Sequence, residues 1–328
     1  MAEELKDKQD IRIRFDYRTA LPSLALVITL LTEILIPNHP EAKYRELTNF
    51  RSVVLFFLAV SLITLILGIF NRKVREKYTY RSWFFGGFTI FFNIVNLITV
   101  KLLLLPQIYF PSPNRILKVF SDEYAFLLKC LGSTFFLLIE GLLAGCIIGI
   151  ITGILVGWSK GCNYWIYPVI RILGPIPAST WLPLALVVFA KSRQAAIFLI
   201  AFGVWFQLTI LTSSGIQSVK KSYFEVSSTL GATNLQNLFR IAIPDSLPSI
   251  FLGFFNATTS SFVALMTAEM MGVKAGIGWY INWQKEIMSY PNVYAGLIII
   301  AVFCYLFITI QFKIRDRLLG WQKGVIKW

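Results

Sequence analysis

Residues 219–250 read VKKSYFEVSSTLGATNLQNLFRIAIPDSLPSI, and this stretch decides how the rest of the chain is read. Val219, Tyr223, Val226 and Leu230 fall at i, i+4, i+7 and i+11, one face of a helix. Gly231 follows at once, where a helix C-terminus wants a residue tolerant of positive φ. A second short run, Leu235 to Ile241, sets Leu235, Leu238 and Phe239 on one face, and Pro244 and Pro248 then end it and restart the next apolar segment. Two short amphipathic helices meeting at a glycine corner form a docking surface for another protein, which a disordered connector does not.

The surroundings of this stretch are those of a membrane protein. The chain has 328 residues, 56% hydrophobic and 15% charged, where a soluble domain carries about 25% charged residues. Lipid must therefore be the solvent for much of its surface. The net charge of +14 would suit nucleic acid, but the basic residues stand in short clusters between apolar runs, as in cytoplasmic loops. The four cysteines, Cys130, Cys146, Cys162 and Cys304, have no metal-binding spacing. The single histidine, His39, lies in a loop, so no metal site is expected. The first residues are polar and of mixed charge, without the pattern of a cleaved signal.

Eight apolar segments are expected to span, at 20–37, 51–70, 83–105, 131–157, 166–190, 195–215, 247–268 and 293–312, since a span needs about 20 apolar residues. The predicted fold is all-α and polytopic, with about eight transmembrane helices. With the N-terminus inside, 19 of the 31 basic residues fall in cytoplasmic stretches and 10 outside. This bias places both termini in the cytoplasm and residues 219–250 inside. The first segment is the weakest, being short and carrying Glu33. Lys101, a few residues from the outer end of its span, is expected to snorkel. Glu140 lies within an apolar run, where it needs a partner or water.

Gly141, Gly145, Gly149, Gly153 and Gly157 recur every fourth residue and let another backbone approach closely. Either they pack helices within the chain, or they form a ridge that slides during function. Asn256, Thr258, Thr259, Ser260 and Ser261 crowd the middle of one span. Five polar side chains in six positions point in several directions, so some are expected to line an aqueous pathway. Gln207, Thr209 and Thr212 are further candidates. Glu269, near the outer end of its span, reads as a gate or as a solvated helix-end acid.

The pattern Glu225, Gly231-Ala232, Ile241, Ile243-Pro244 and Pro248 resembles the EAA loop of ABC-importer permeases. Three further stretches are similar to the same family: RILGPIPASTWLPLALVVFA (171–190), TAEMMGVKAGIGWYI (267–281) and LLPQIYFPSPNRIL (104–117). The resemblance covers residues 83–321 and points to the nitrate, sulfonate, taurine and bicarbonate branch, which includes thiamine-precursor and riboflavin importers. It implies a six-span permease domain over 83–321, a two-span extension over 1–82 and a cytoplasmic tail over 322–328. It also implies that the loop, through Tyr223, Glu225, Val226, Leu230, Gly231, Ala232, Phe239 and Pro244, inserts into a groove of a cytoplasmic ATPase. The sequence departs from the family at Val226 and Ser227, which stand where alanines are usual, and at Leu137, where a basic residue is frequent.

The chain has no GxxxxGK[ST] phosphate loop, so ATP and Mg are expected on the partner ATPase, with no cofactor in this chain. No nucleophile, base or metal set is present for an intramembrane enzyme. An ion-coupled secondary transporter would need paired intramembrane acids, and only the isolated Glu33, Glu140 and Glu269 are available. The implied partners are an ATPase dimer inside, a solute-binding protein outside and a second permease copy. The expected location is the cell inner (plasma) membrane. The expected cargo is a small oxyanion, sulfonate, or thiamine-type precursor.

Overall fold

In hydrocarbon every backbone N–H and C=O must find its partner within the chain, and the apolar runs of this sequence do so as helices. The computed structural model describes residues 17–42 and 48–320. The tail at 322–328 and the basic residues Lys6, Lys8, Arg12 and Arg14 lie outside the described residues. All regular structure among the described residues is helical.

The chain divides into two compact units, Met1–Glu123 with Met288–Ala295, and Tyr124–Ile287 with Gly296–Trp328. In the first unit lie α1 (Leu21–Leu35), α2 (Asn49–Phe70), α3 (Arg72–Asn96, extended by a π-turn at Leu97–Lys101) and α4 (Pro113–Asp122). Leu26, Phe50 and Val54 form a small core against which Leu30, Leu58 and Leu117 pack. Lys101 does not snorkel: its side chain is 2% exposed and pairs with Glu33 at 3.3 Å. Burial in a helical seam, beside an acid at matching depth, removes the reason to reach for water. Within the same unit, Asn292 donates to Glu123 at 2.7 Å and the rings of Tyr109 and Tyr290 meet edge to face.

The second unit holds α5 (Tyr124–Trp158), α6 (Lys160–Leu173), α7 (Leu182–Val188), α8 (Ser192–Gln217), α9 (Lys221–Thr229), α10 (Asn234–Asn237), α11 (Ile243–Met271), α12 (Ile277–Glu286) and most of α13 (Tyr290–Leu318). Its core draws Leu137, Leu138 and Leu142 of α5, Leu199, Ile200 and Val204 of α8, and Ala257, Ala264 and Leu265 of α11. The glycine ridge of α5 lies on α8. A Cβ at Gly145 would stand 2.6 Å from the Ala201 carbonyl oxygen, and one at Gly153 2.6 Å from Thr212 Cβ. The facing residues Ile200, Val204, Leu208, Thr212 and Ile216 share the four-residue step, so the two helices run parallel in register.

Among the described residues, seven helices are long and apolar enough to cross a membrane, and an eighth span is counted if α6 and α7 are taken together. The expected straight span at 166–190 is corrected: α6 and α7 meet at 87°. Pro175 and Pro177 cannot supply the N–H groups that would continue α6, so the helix ends at Leu173 with Gly174 as its cap.

Candidate functional site

The loop between α8 and α11 is built by local hydrogen bonds. Helix α9 ends at Gly231, whose φ of 81° only glycine adopts without strain. Its N–H and that of Ala232 return to the carbonyls of Ser228 and Ser227. Thr233 and Gln236 then form a reciprocal capping box that opens α10. Ser227 donates to Asn237 Oδ1 at 2.8 Å, so the serine that replaces an alanine ties the two short helices together.

The face drawn from the sequence needs one correction. Val219 precedes α9 and is buried, while Tyr223, Val226 and Leu230 are exposed, Leu230 at 82%. Phe224 is the true inner anchor, packing on Trp158 and on the cluster of Ile216, Leu238 and Ala242. In the second run Leu238 is buried, whereas Leu235 and Phe239 are exposed. A π-turn at Leu238–Ala242 changes the angular step between residues and turns Leu238 inward. Pro244 and Pro248 do not end this run: the helix passes from the π-turn into α11, with Pro244 in the first turn, where no N–H is required. Glu225, Gly231 and Pro244 are exposed and Ala232 is half-buried.

The bend between α6 and α7 opens a cleft of about 230 Å³, lined by Gly174, Pro177, Ser179, Phe202, Phe206, Gln207 and Ser260 among others. None of its lining residues is ionisable. Gly174 is required because a Cβ there would meet the Phe206 ring. Of the pathway candidates, Gln207 and Ser260 line this cleft. The others lie elsewhere. Thr258 is fully buried and accepts from Gln311 Nε2 at 2.9 Å, which makes it a joint between α11 and α13. Thr259 is exposed and bonds back to the Phe255 carbonyl. Asn256 is half-buried and away from the cleft lining. Thr209 bonds Thr152 of α5, and Thr212 is buried beside Gly153. Sequence reasoning missed Ser179, Phe202 and Phe206. The signal was the spacing of Gly174, Pro175 and Pro177, which marks a break in a helix.

Glu269 is neither a solvated acid nor a lining residue of the cleft, for it is fully buried. Its carboxylate accepts from Thr134 Oγ1 at 2.8 Å and from the Gly278 N–H at 2.7 Å. Thr134 in turn accepts from the Ile277 N–H. The acid thus satisfies two free N–H groups of the α12 N-terminus, directly and through Thr134, and the positive end of the helix dipole favours its charge. Gly276, at φ 107°, and Gly278 leave room for it: a Cβ at either would meet Glu269. Glu140 has a partner, Arg193, which clasps it through two hydrogen bonds of 2.6 and 3.2 Å at a half-exposed position.

Residues 145–320 match the family described as "Binding-protein-dependent transport system inner membrane component". The match covers more than half of the chain, which belongs to this family. It is 31% identical to the putative aliphatic sulfonates transport permease protein SsuC of Bacillus subtilis, over 56% of this chain and 67% of that one. It is 33% identical to the bicarbonate transport system permease protein CmpB of Synechococcus elongatus, over 57% and 66%. It is 24% identical to the formylaminopyrimidine transport permease protein ThiX of Halalkalibacterium halodurans, over 65% and 86%. An inward-facing structure of the MetNI methionine ABC transporter shares the fold, with a TM-score of 0.51 at 17% identity, covering 58% of this chain and 95% of that one. The protein is a multi-pass membrane permease subunit of an ABC importer.

Proposed function

We propose that this chain moves a small solute inward by alternating access, driven by an ATPase that docks on the α9–α10 loop. The observation that carries the reading is the exposed apolar face of Tyr223, Val226, Leu230, Leu235 and Phe239 beside the glycine corner. A face of that kind outside the membrane needs a protein partner. ATP and Mg belong to that partner, and this chain contributes no catalytic group. Both termini lie in the cytoplasm, and a binding protein delivers solute from outside. A second copy of the permease completes the pathway, because the cleft beside Gln207 and Ser260 is open on one side. A shift from mostly inward-facing to mostly outward-facing requires about 5.5 kcal/mol of differential interaction, which ATP-driven closure of the partner can supply.

The cargo is a small oxyanion or sulfonate, the solute class named for most of these relatives. A second reading, an uncharged planar heterocycle such as a pyrimidine, is favoured by the cleft, whose lining offers two phenylalanines and uncharged donors. Uptake into vesicles with trapped ATP, assayed with each class beside the cognate binding protein, separates the two. Val226→Asp should abolish both ATPase co-purification and uptake while the permease remains monodisperse. Full ATPase retention in that variant would sink the docking role.

A further inference from the structure

The first unit carries polar side chains along its spans, and most of those described are answered inside that unit. The Lys101 ammonium has three acceptors: Glu33 Oε2 at 3.3 Å, the Glu33 carbonyl at 3.1 Å and the Ile36 carbonyl at 2.6 Å. A lysine thus caps the C-terminal carbonyls of α1, where a cation suits the helix dipole. Asn96 donates to Glu33 Oε2 at 2.7 Å, and Thr32 bonds Asn93 Oδ1 at 2.9 Å. Toward the other end of the spans, Ser23, Ser61 and Tyr78 form a chain of hydroxyls at 2.7 and 2.8 Å that joins α1, α2 and α3.

Helix α3 therefore presents Asn93, Asn96 and Lys101 on the side that α1 covers. Facing lipid alone, those groups would be costly. The extension also reaches the segment after α3. His39 N–H donates to the Val100 carbonyl. Asn114 of α4 accepts from the Phe50 N–H at 2.6 Å and so caps α2, while Leu117 packs on Leu26, Phe50 and Val54. The family match begins only at residue 145 and says nothing of this region.

We propose that α1 and α2 are a built-in membrane partner that holds α3 in place through the Glu33–Lys101 pair and α4 through Asn114 and Leu117. Residues 21–70 are then a required part of the permease and not an appendage. The test uses the full chain with a protease site inserted after Asn71, between α2 and α3. The purified chain is sized, cut, and sized again. The two fragments should stay together. Lys101→Met or Glu33→Gln alone leaves a buried charge without its partner, and should lower retention of the N-terminal fragment at least ten-fold. The double variant removes both charges and should recover retention to within about three-fold, since a pair replaced by neutral groups leaves no lone charge. Separation of the unsubstituted fragments, or single variants that retain as the parent does, would overturn the proposal. If the inserted site prevents folding before cleavage, the same substitutions are compared by thermal aggregation of the native-length chain. Both singles must then melt below the double, and equality of all four chains refutes it.

Discussion

Helices α5 and α8 meet along Gly141 to Gly157, where only the side chains of α8 stand between the backbones, whereas α1 and α3 meet through Thr32, Glu33, Asn93, Asn96 and Lys101. Lipid tails are as apolar as leucine, so neither contact draws on the hydrophobic effect that joins helices in water. What remains is chiefly close packing in the first case and polar bonding in the second. The glycine ridge repeats every four residues, and the hydroxyls of Thr152 and Thr209 add a bond across it that marks one register. The bonded interface is satisfied at one register only. The first contact brings two backbones together with few bonds across it, and the second ties three helices through many. The family match lies almost entirely on the first.

Substitutions can break this contrast, and the largest effect belongs to the packed side. Gly145→Leu should cost about 3 kcal/mol or more, since its Cβ would press on the backbone oxygen of Ala201, which no rotamer change relieves. Loss of monodisperse protein in detergent is the readout. Gly231→Val comes next, at about 1–2 kcal/mol of local strain from positive φ. ATP-driven uptake should fall sharply there while the membrane level of the permease holds. Gln311→Leu removes a donor shared by Thr258 Oγ1 and the Phe254 carbonyl, and should lower the thermal midpoint by an amount equivalent to about 1 kcal/mol. Ser61→Ala should cost about 0.6 kcal/mol, in the range of single polar bonds between membrane helices. Gly87→Leu sharpens the comparison from the other side: nothing lies within 4 Å of its Cβ position, so no loss is expected.

Much of the fold was legible because lipid imposes a simple rule on apolar runs. Segment 51–70 became α2 almost residue for residue, and the glycine corner fell on Gly231 as its spacing required. The bend between α6 and α7 was not legible from apolarity alone, since its two halves sum to the length of one span. Three prolines and a glycine in ten residues were the available sign. Partners distant in sequence were invisible: Glu140 finds Arg193 53 positions away, and Glu33 finds Lys101 68 away. Their burial could not be inferred from either helix taken singly. The grouping of Val219 with Tyr223, Val226 and Leu230 on one face failed for a different reason. Val219 precedes the first turn of α9, so helical periodicity does not govern it.

The contact between Gly174 and Phe206 sets the bore of the cleft. The ring occupies the space where any other residue at 174 would place its first carbon. Alanine there would force the ring to a new position, since its Cβ would overlap the ring edge. A single backbone position therefore governs how much of the cleft the ring can fill, apart from the chemistry of the other side chains that line it.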